Sequence, residues 1–162
     1  MSSARNALGF FFCLVAAWAI TYFVGLGGTI ADLETIIGAG ANAILTLVSG
    51  ICIAQLSAFP LLLGGTYATI IALAVGGLIG GLVSRKYSGA LVITIGYMIF
   101  LFIFPWILNF VSTLDPVLAF NAILLLLGPT GTDQAIAIVV AFLAVLVPSM
   151  IGAAITAEEE EY

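Results

Sequence analysis

Charge is missing from almost the whole chain. Residues 6–31, 35–84, 87–114, 116–132 and 134–157 contain no Asp, Glu, Lys or Arg. An α-helix rises ~1.5 Å per residue and needs about 20 apolar residues to cross ~30 Å of hydrocarbon. Four of these runs are that long, and 35–84 is long enough for two helices. The chain has only three basic and eight acidic residues in 162, with 64% hydrophobic and 7% charged. An average soluble domain carries roughly 25% charged residues. So few polar groups cannot cover a water-exposed surface of this size. An ordinary soluble enzyme, a disordered chain and a nucleic-acid binder are thereby excluded. The chain reads as an all-α, polytopic integral membrane protein.

Local signals divide it into spans. The first runs over residues 7–25. No small-x-small cleavage site directly follows it at Val24-Gly25-Leu26-Gly27-Gly28, so the segment is expected to be retained. A polar link with Asp32 and Glu34 leads to a second span, 35–58, stopped by Pro60. A third, 61–83, ends at Ser84-Arg85-Lys86. A fourth, 89–112, holds Pro105 and is expected to kink. Asp115-Pro116 is a helix start and Gly128-Pro129 a stop. The helix between them has about 13 residues and reaches only ~20 Å. It is half-spanning or a short sixth crossing. Thr132 or Asp133 caps a last span, 134–156, with a bend at Pro148. The expectation is five long spans plus one short helix, with residues 1–157 as one multi-pass bundle and 158–162 as a solvated acidic tail. Arg85 and Lys86 favour the cytoplasm. With every link alternating sides, the N-terminus then lies outside and Arg5 counts against the rule.

Small residues mark packing faces. Gly64, Ala68, Ala72, Gly76, Gly80 and Ser84 recur every four residues in the third span, with Gly77 and Gly81 beside them. The first span reads Gly9, Cys13, Ala17, Thr21, Gly25, and the second Gly38, Asn42, Thr46, Gly50, Ala54, Ala58. Residues four apart share a helix face, and a face without bulk lets backbones approach. The three stripes predict a tight bundle of the first three spans. The fourth span is bulky all round in its second half (Tyr97, Phe100, Phe102, Phe104, Trp106, Phe110), which reads as a lipid-facing surface ending in an aromatic belt. Trp18, Tyr22 and Tyr87 also read as interfacial.

Chemistry has little to work with. There is no histidine, hence no His dyad or His-ligated metal. Cys13 and Cys52 lie in apolar runs on different spans and read as packing residues. No catalytic residue, metal or cofactor is expected, and Asp115 and Asp133 read as helix caps. Polar residues at membrane depth are costly and need partners. These are Asn42, Thr46, Gln55, Asn109 and Asn121. Asn42 and Thr46 either hydrogen-bond to a neighbouring helix or line a pathway. Asn121, followed by Gly128-Pro129-Thr130-Gly131, fits a broken half-helix. A solute pathway would pass near Asn42, Asn121 and Thr130, with Asp133 the one acid placed for a proton relay.

In size, span count and glycine content the chain resembles the substrate-capture components of vitamin transporters. Its Gly128-Pro129-Thr130-Gly131 loop is similar to one in the biotin-uptake members. The likeness covers those four residues and carries no binding residue over. The expected function is a non-enzymatic integral subunit that packs into a larger membrane assembly through Gly9, Ala17, Gly38, Gly50, Gly64, Ala68, Ala72, Gly76 and Gly80. The alternative is a small-solute or ion transporter using the short helix near residues 115–133. Lipid and other membrane subunits, or a second copy, are the expected partners; nucleic acid is not.

Overall fold

A computed structural model describes residues 2–157; the acidic tail, 158–162, lies outside the described residues. It is all-helical there: α1 (Ser2–Ile20), a π-helical turn (Thr21–Gly25), α2 (Ile30–Gly38), α3 (Ala41–Leu56), α4 (Ala58–Leu63), α5 (Ala68–Ser84), α6 (Tyr87–Thr113), α7 (Pro116–Leu127) and α8 (Gly131–Ile155). Three helices are long and apolar enough to cross a membrane: Ser3–Gly25, Tyr87–Val111 and Gly131–Ile155. They correspond to the first, fourth and last expected spans.

The second and third expected spans are not single helices. Residues 35–58 divide at Ala39 and Gly40, where Gly40 takes φ 96°, leaving an α3 of 16 residues. Residues 61–83 divide at Gly64 and Gly65, with Gly65 at φ 85°, and α5 has 17 residues. Glycine enters this left-handed region without a Cβ penalty, so it ends a helix inside an apolar run. Apolarity persists through both breaks, which is why hydropathy reads across them. Pro60 does not end α3. It lies in the first turn of α4, where its missing N–H has no helical partner to lose.

The short helix forms as its caps predict. The Asp115 carboxylate accepts from the backbone N–H groups of Val117 (2.8 Å) and Leu118 (3.1 Å), and Gly128 closes α7 after 12 residues. The last helix begins earlier than expected. Thr130, not Thr132 or Asp133, is its N-cap. The Thr130 hydroxyl accepts from the Asp133 N–H (3.2 Å) and donates to the Asp133 carboxylate (2.6 Å). Thr29 and Asp32 make the same arrangement at α2. There the Thr29 side-chain and backbone hydrogen bonds hold the Asp32 carboxyl below its ordinary range.

Glycine decides which helices touch. A Cβ on Gly76 would lie 2.8 Å from the Cys13 carbonyl oxygen and 2.8 Å from Ala17 Cβ, and one on Gly80 would lie 3.2 Å from the Gly9 carbonyl oxygen. On the adjacent face, a Cβ on Gly77 or Gly81 would strike the Val145 or Ser149 carbonyl, and one on Gly152 would strike that of Leu78. α5 is therefore held backbone to backbone between α1 and α8, a geometry that maximises dispersion and Cα–H···O contact. This corrects the expected bundle of the first three spans. The face with Gly76 and Gly80 meets α1 at Gly9 and Ala17, with Ala72 buried on it. The face with Gly77 and Gly81 meets α8. The expected second-span stripe stays open at Gly38, the last residue of α2, and at Gly50 in α3, where nothing lies within 4 Å of a Cβ position, while its last member, Ala58, is buried. Gly64 meets only carbonyls of its own segment, and Ala68 is half-buried.

The same contacts set helix directions. Gly80 lies by Gly9, Gly76 by Cys13, and Ala68 by Gly25, so α5 runs antiparallel to α1. Gly77 lies by Val145 and Gly81 by Ser149, so α8 runs parallel to α5. Ile93 lies by Gly9, and Gly89 by Asn6, so α6 runs with α1. Each half of the chain thus repeats one course: a helix out (α1, α6), a short segment (α2 to α4, α7), and a helix back (α5, α8). Both short segments begin and end at the same end of the bundle. Arg5, Arg85 and Lys86 sit on the opposite end, and Asp32, Glu34, Asp115 and Asp133 on the end of the short segments.

The aromatic half of α6 is not bulky toward lipid all round. Tyr97 and Leu101 are buried, while Phe100, Phe102, Phe104 and Trp106 pack partly buried against the core. The outward face is instead a stripe of Ile95, Ile99, Ile103, Ile107 and Val111 at four-residue spacing.

Candidate functional site

One polar group inside the bundle joins three helices. Thr21 opens the π-helical turn that ends the first helix, in which the Leu26 N–H bonds back to the Thr21 carbonyl (2.8 Å). Such wide turns occur mostly as single insertions, often at functional sites. Gln55 lies in the last turn of α3, and Tyr97 is near the middle of α6. The Tyr97 hydroxyl donates to Gln55 Oε1 at 2.6 Å, and Gln55 Nε2 donates to Thr21 Oγ1 at 2.8 Å. All three residues are 0% exposed.

Further hydrogen-bonding capacity lies beside them. Thr69, at the start of α5, is buried and its hydroxyl has no partner. Thr69 and Thr21 both border Gly25, where the Cγ2 atom of each is 3.7 Å from a Cβ position. The Trp18 indole N–H, one turn before Thr21, is also buried without a partner. No Asp, Glu, Lys or Arg belongs to this cluster, so it grips by uncharged hydrogen bonds. A network of this kind also fixes the register of α3 against α1 and α6, because a slipped register strands polar groups in a low-dielectric interior. Among the described residues, no three His, Cys, Asp or Glu side chains group as metal ligands.

The residues expected to line a pathway lie elsewhere. Asn42 is exposed and borders an open groove of about 530 Å³ with Thr46, Ser49 and Gly50 of α3 and Asn109 of α6. Asn121 lies on the exposed side of α7. Thr130 and Asp133 bond to each other in capping α8. Of the interior cluster, Gln55 stands out in the sequence as an amide inside a charge-free apolar run. Thr21 is disguised as a member of a small-residue stripe, and Tyr97 as one aromatic among many.

The chain matches no known family, no characterised protein and no solved structure. What the site does must be argued from its own geometry.

Proposed function

We propose that the chain is a multi-pass, non-enzymatic membrane subunit that captures a small uncharged solute from one side of the bilayer. The reading rests on one observation: the buried Thr21–Gln55–Tyr97 cluster lies where a half-length helix, α3, meets two long ones. Helices that stop inside the bilayer are tolerated where their freed ends line a site, and transporters place such sites near the midplane at the interface of internal repeats. In this reading α1, α5, α6 and α8 cross, while α3 and α7 enter from one side and return to it. α5 spans only ~25 Å, which modest thinning of the bilayer accommodates. The topology brings Arg5 to the same side as Arg85 and Lys86, so all three basic residues obey the positive-inside rule together. The site then opens away from the cytoplasm.

Toward the cytoplasmic side, the glycine contacts of α5 with α1 and α8 leave no room for a solute. Capture without release makes the chain a subunit, and the open α3 face at Asn42, Thr46 and Gly50 is the stripe left for a partner. Gly9, Ala17, Ala72, Gly76 and Gly80 serve the chain's own packing.

Two measurements test this. In intact cells, Gly27→Cys and Thr132→Cys should react with an impermeant maleimide, and Ser88→Cys only after permeabilisation. The opposite labelling of positions 27 and 132 would rule out the four-crossing course. In mild detergent, the purified chain should bind one class among small amides, polyols and other uncharged solutes saturably, and in liposomes it should give no net flux alone. Net flux by the chain alone makes it a self-sufficient transporter; no binding across the panel sinks the capture reading.

A further inference from the structure

The grip on Gln55 has the form of a ligand site that is already filled. A carboxamide offers a carbonyl acceptor and an N–H donor. Here the carbonyl receives the Tyr97 hydroxyl from α6, and the N–H reaches Thr21 on the first helix (2.6 and 2.8 Å). The amide is clamped by two elements that both differ from the one that carries it.

The carrying segment is loosely held before residue 51 and anchored beyond it, where Ala58 is also buried and the Ser57 hydroxyl donates to the Leu126 carbonyl (3.4 Å). Within α3 only Ile51, Cys52, Gln55 and Leu56 are buried, and residues 41–50 include none. Gly40 (φ 96°) and Gly65 (φ 85°) flank the segment, and each has nothing within 4 Å of a Cβ position. Open space and a backbone free to turn are what a hinge needs. The buried, unpartnered Thr69 hydroxyl beside Thr21 is polar capacity that Gln55 does not use.

We infer that Gln55 occupies the solute's own place, and that the site selects small uncharged amides, such as urea and short primary amides, admitted when residues 41–63 swing outward. The inference rests on the capture reading and names its substrate class. Acetamide has the size of the Gln55 group beyond Cβ. It presents a carbonyl to Tyr97 and an N–H to Thr21, as the Gln55 amide does. Isopropanol matches it in size but has no carbonyl, and N,N-dimethylacetamide has no N–H. Affinity for the wild type is lowered by the fraction of molecules in which Gln55 fills the site.

The wild-type chain in detergent supplies the first test. Cys52 lies one turn before Gln55, and Cys13 lies in the α1–α5 contact; both are 0% exposed and free. Saturating acetamide should speed alkylation of Cys52 at least tenfold and leave Cys13 unchanged, while isopropanol and N,N-dimethylacetamide do neither. A Cys52 rate indifferent to acetamide, or a rise shared with Cys13, overturns the inference. The second test is Gln55→Ala, which vacates the site. Acetamide at tenfold its Kd should raise the Tm of this variant by about 3–5 °C, and isopropanol should not. Equal shifts from both, or none, overturn it as well. Saturable binding of a polyol but not of amides would leave solute capture standing and remove the amide site alone; no binding of any solute would remove both.

Discussion

Gly81→Ala is expected to abolish the folded, monodisperse particle in mild detergent. The added methyl lands on the Ser149 carbonyl, a backbone group within the C-terminal third of α8. Overpacking of a rigid core costs about 1–3 kcal/mol when side chains give way, and more when they cannot. Here the obstacle is main chain, so relief requires the two helices to separate and the contact to be lost. Gly76→Leu and Gly80→Leu should fail in the same way against α1. Gly50→Ala is the matched control: its Cβ meets nothing within 4 Å, and the change should stay within about 0.5 kcal/mol. Size-exclusion profiles and thermal unfolding of the four variants decide the matter. A Gly81→Ala protein that elutes and melts like its parent would show that α5 and α8 are not in backbone contact.

The second large effect lies in the cluster. Gln55→Leu strands the Tyr97 hydroxyl and Thr21 Oγ1, and Tyr97→Phe strands Gln55 Oε1. A buried polar group left without its partner costs about 1–3 kcal/mol. Comparable bonds within a bilayer average nearer ~0.6 kcal/mol, because the unfolded chain also finds partners there. Each single variant should therefore lose about 1 kcal/mol or more. The double variant should cost less than the sum by about 1 kcal/mol, since neither side of the Tyr97–Gln55 bond is then bare. Strict additivity would mean that the two side chains do not interact.

What the sequence revealed, and what it hid, follows from the physics of each element. Charge-free runs make α1, α6 and α8 legible as helices long and apolar enough to cross a membrane. α7 is legible because Asp115, Pro116 and Gly128 are strong local signals at both ends. The course of residues 35–84 is not. Gly40 and Gly65 break the helix by backbone conformation while their neighbours stay apolar, and hydropathy does not register a positive φ. The stripes around Gly76 and Gly9 are real faces, but spacing alone does not say which helix a face meets. Gly77 and Gly81, one residue along, direct α5 to α8 as firmly as Gly76 and Gly80 direct it to α1. Gln55 is legible as a polar residue needing a partner. Thr21 and Tyr97 become its partners only through a wide helical turn and a tertiary approach, neither of which a one-dimensional pattern encodes.

The sandwiching of α5 also bears on how the chain is made. Its two faces are completed at different moments of synthesis. The α1 face finds its partner as soon as α5 has formed, whereas α8 leaves the ribosome only after α6 and α7, a delay on the order of seconds at ordinary elongation rates. During that interval the Gly77 and Gly81 ridge of backbone is without its α8 partner. A nascent chain stalled before α8 emerges would keep that ridge bare, so an unfinished molecule differs from a finished one by a strip of uncovered backbone on α5.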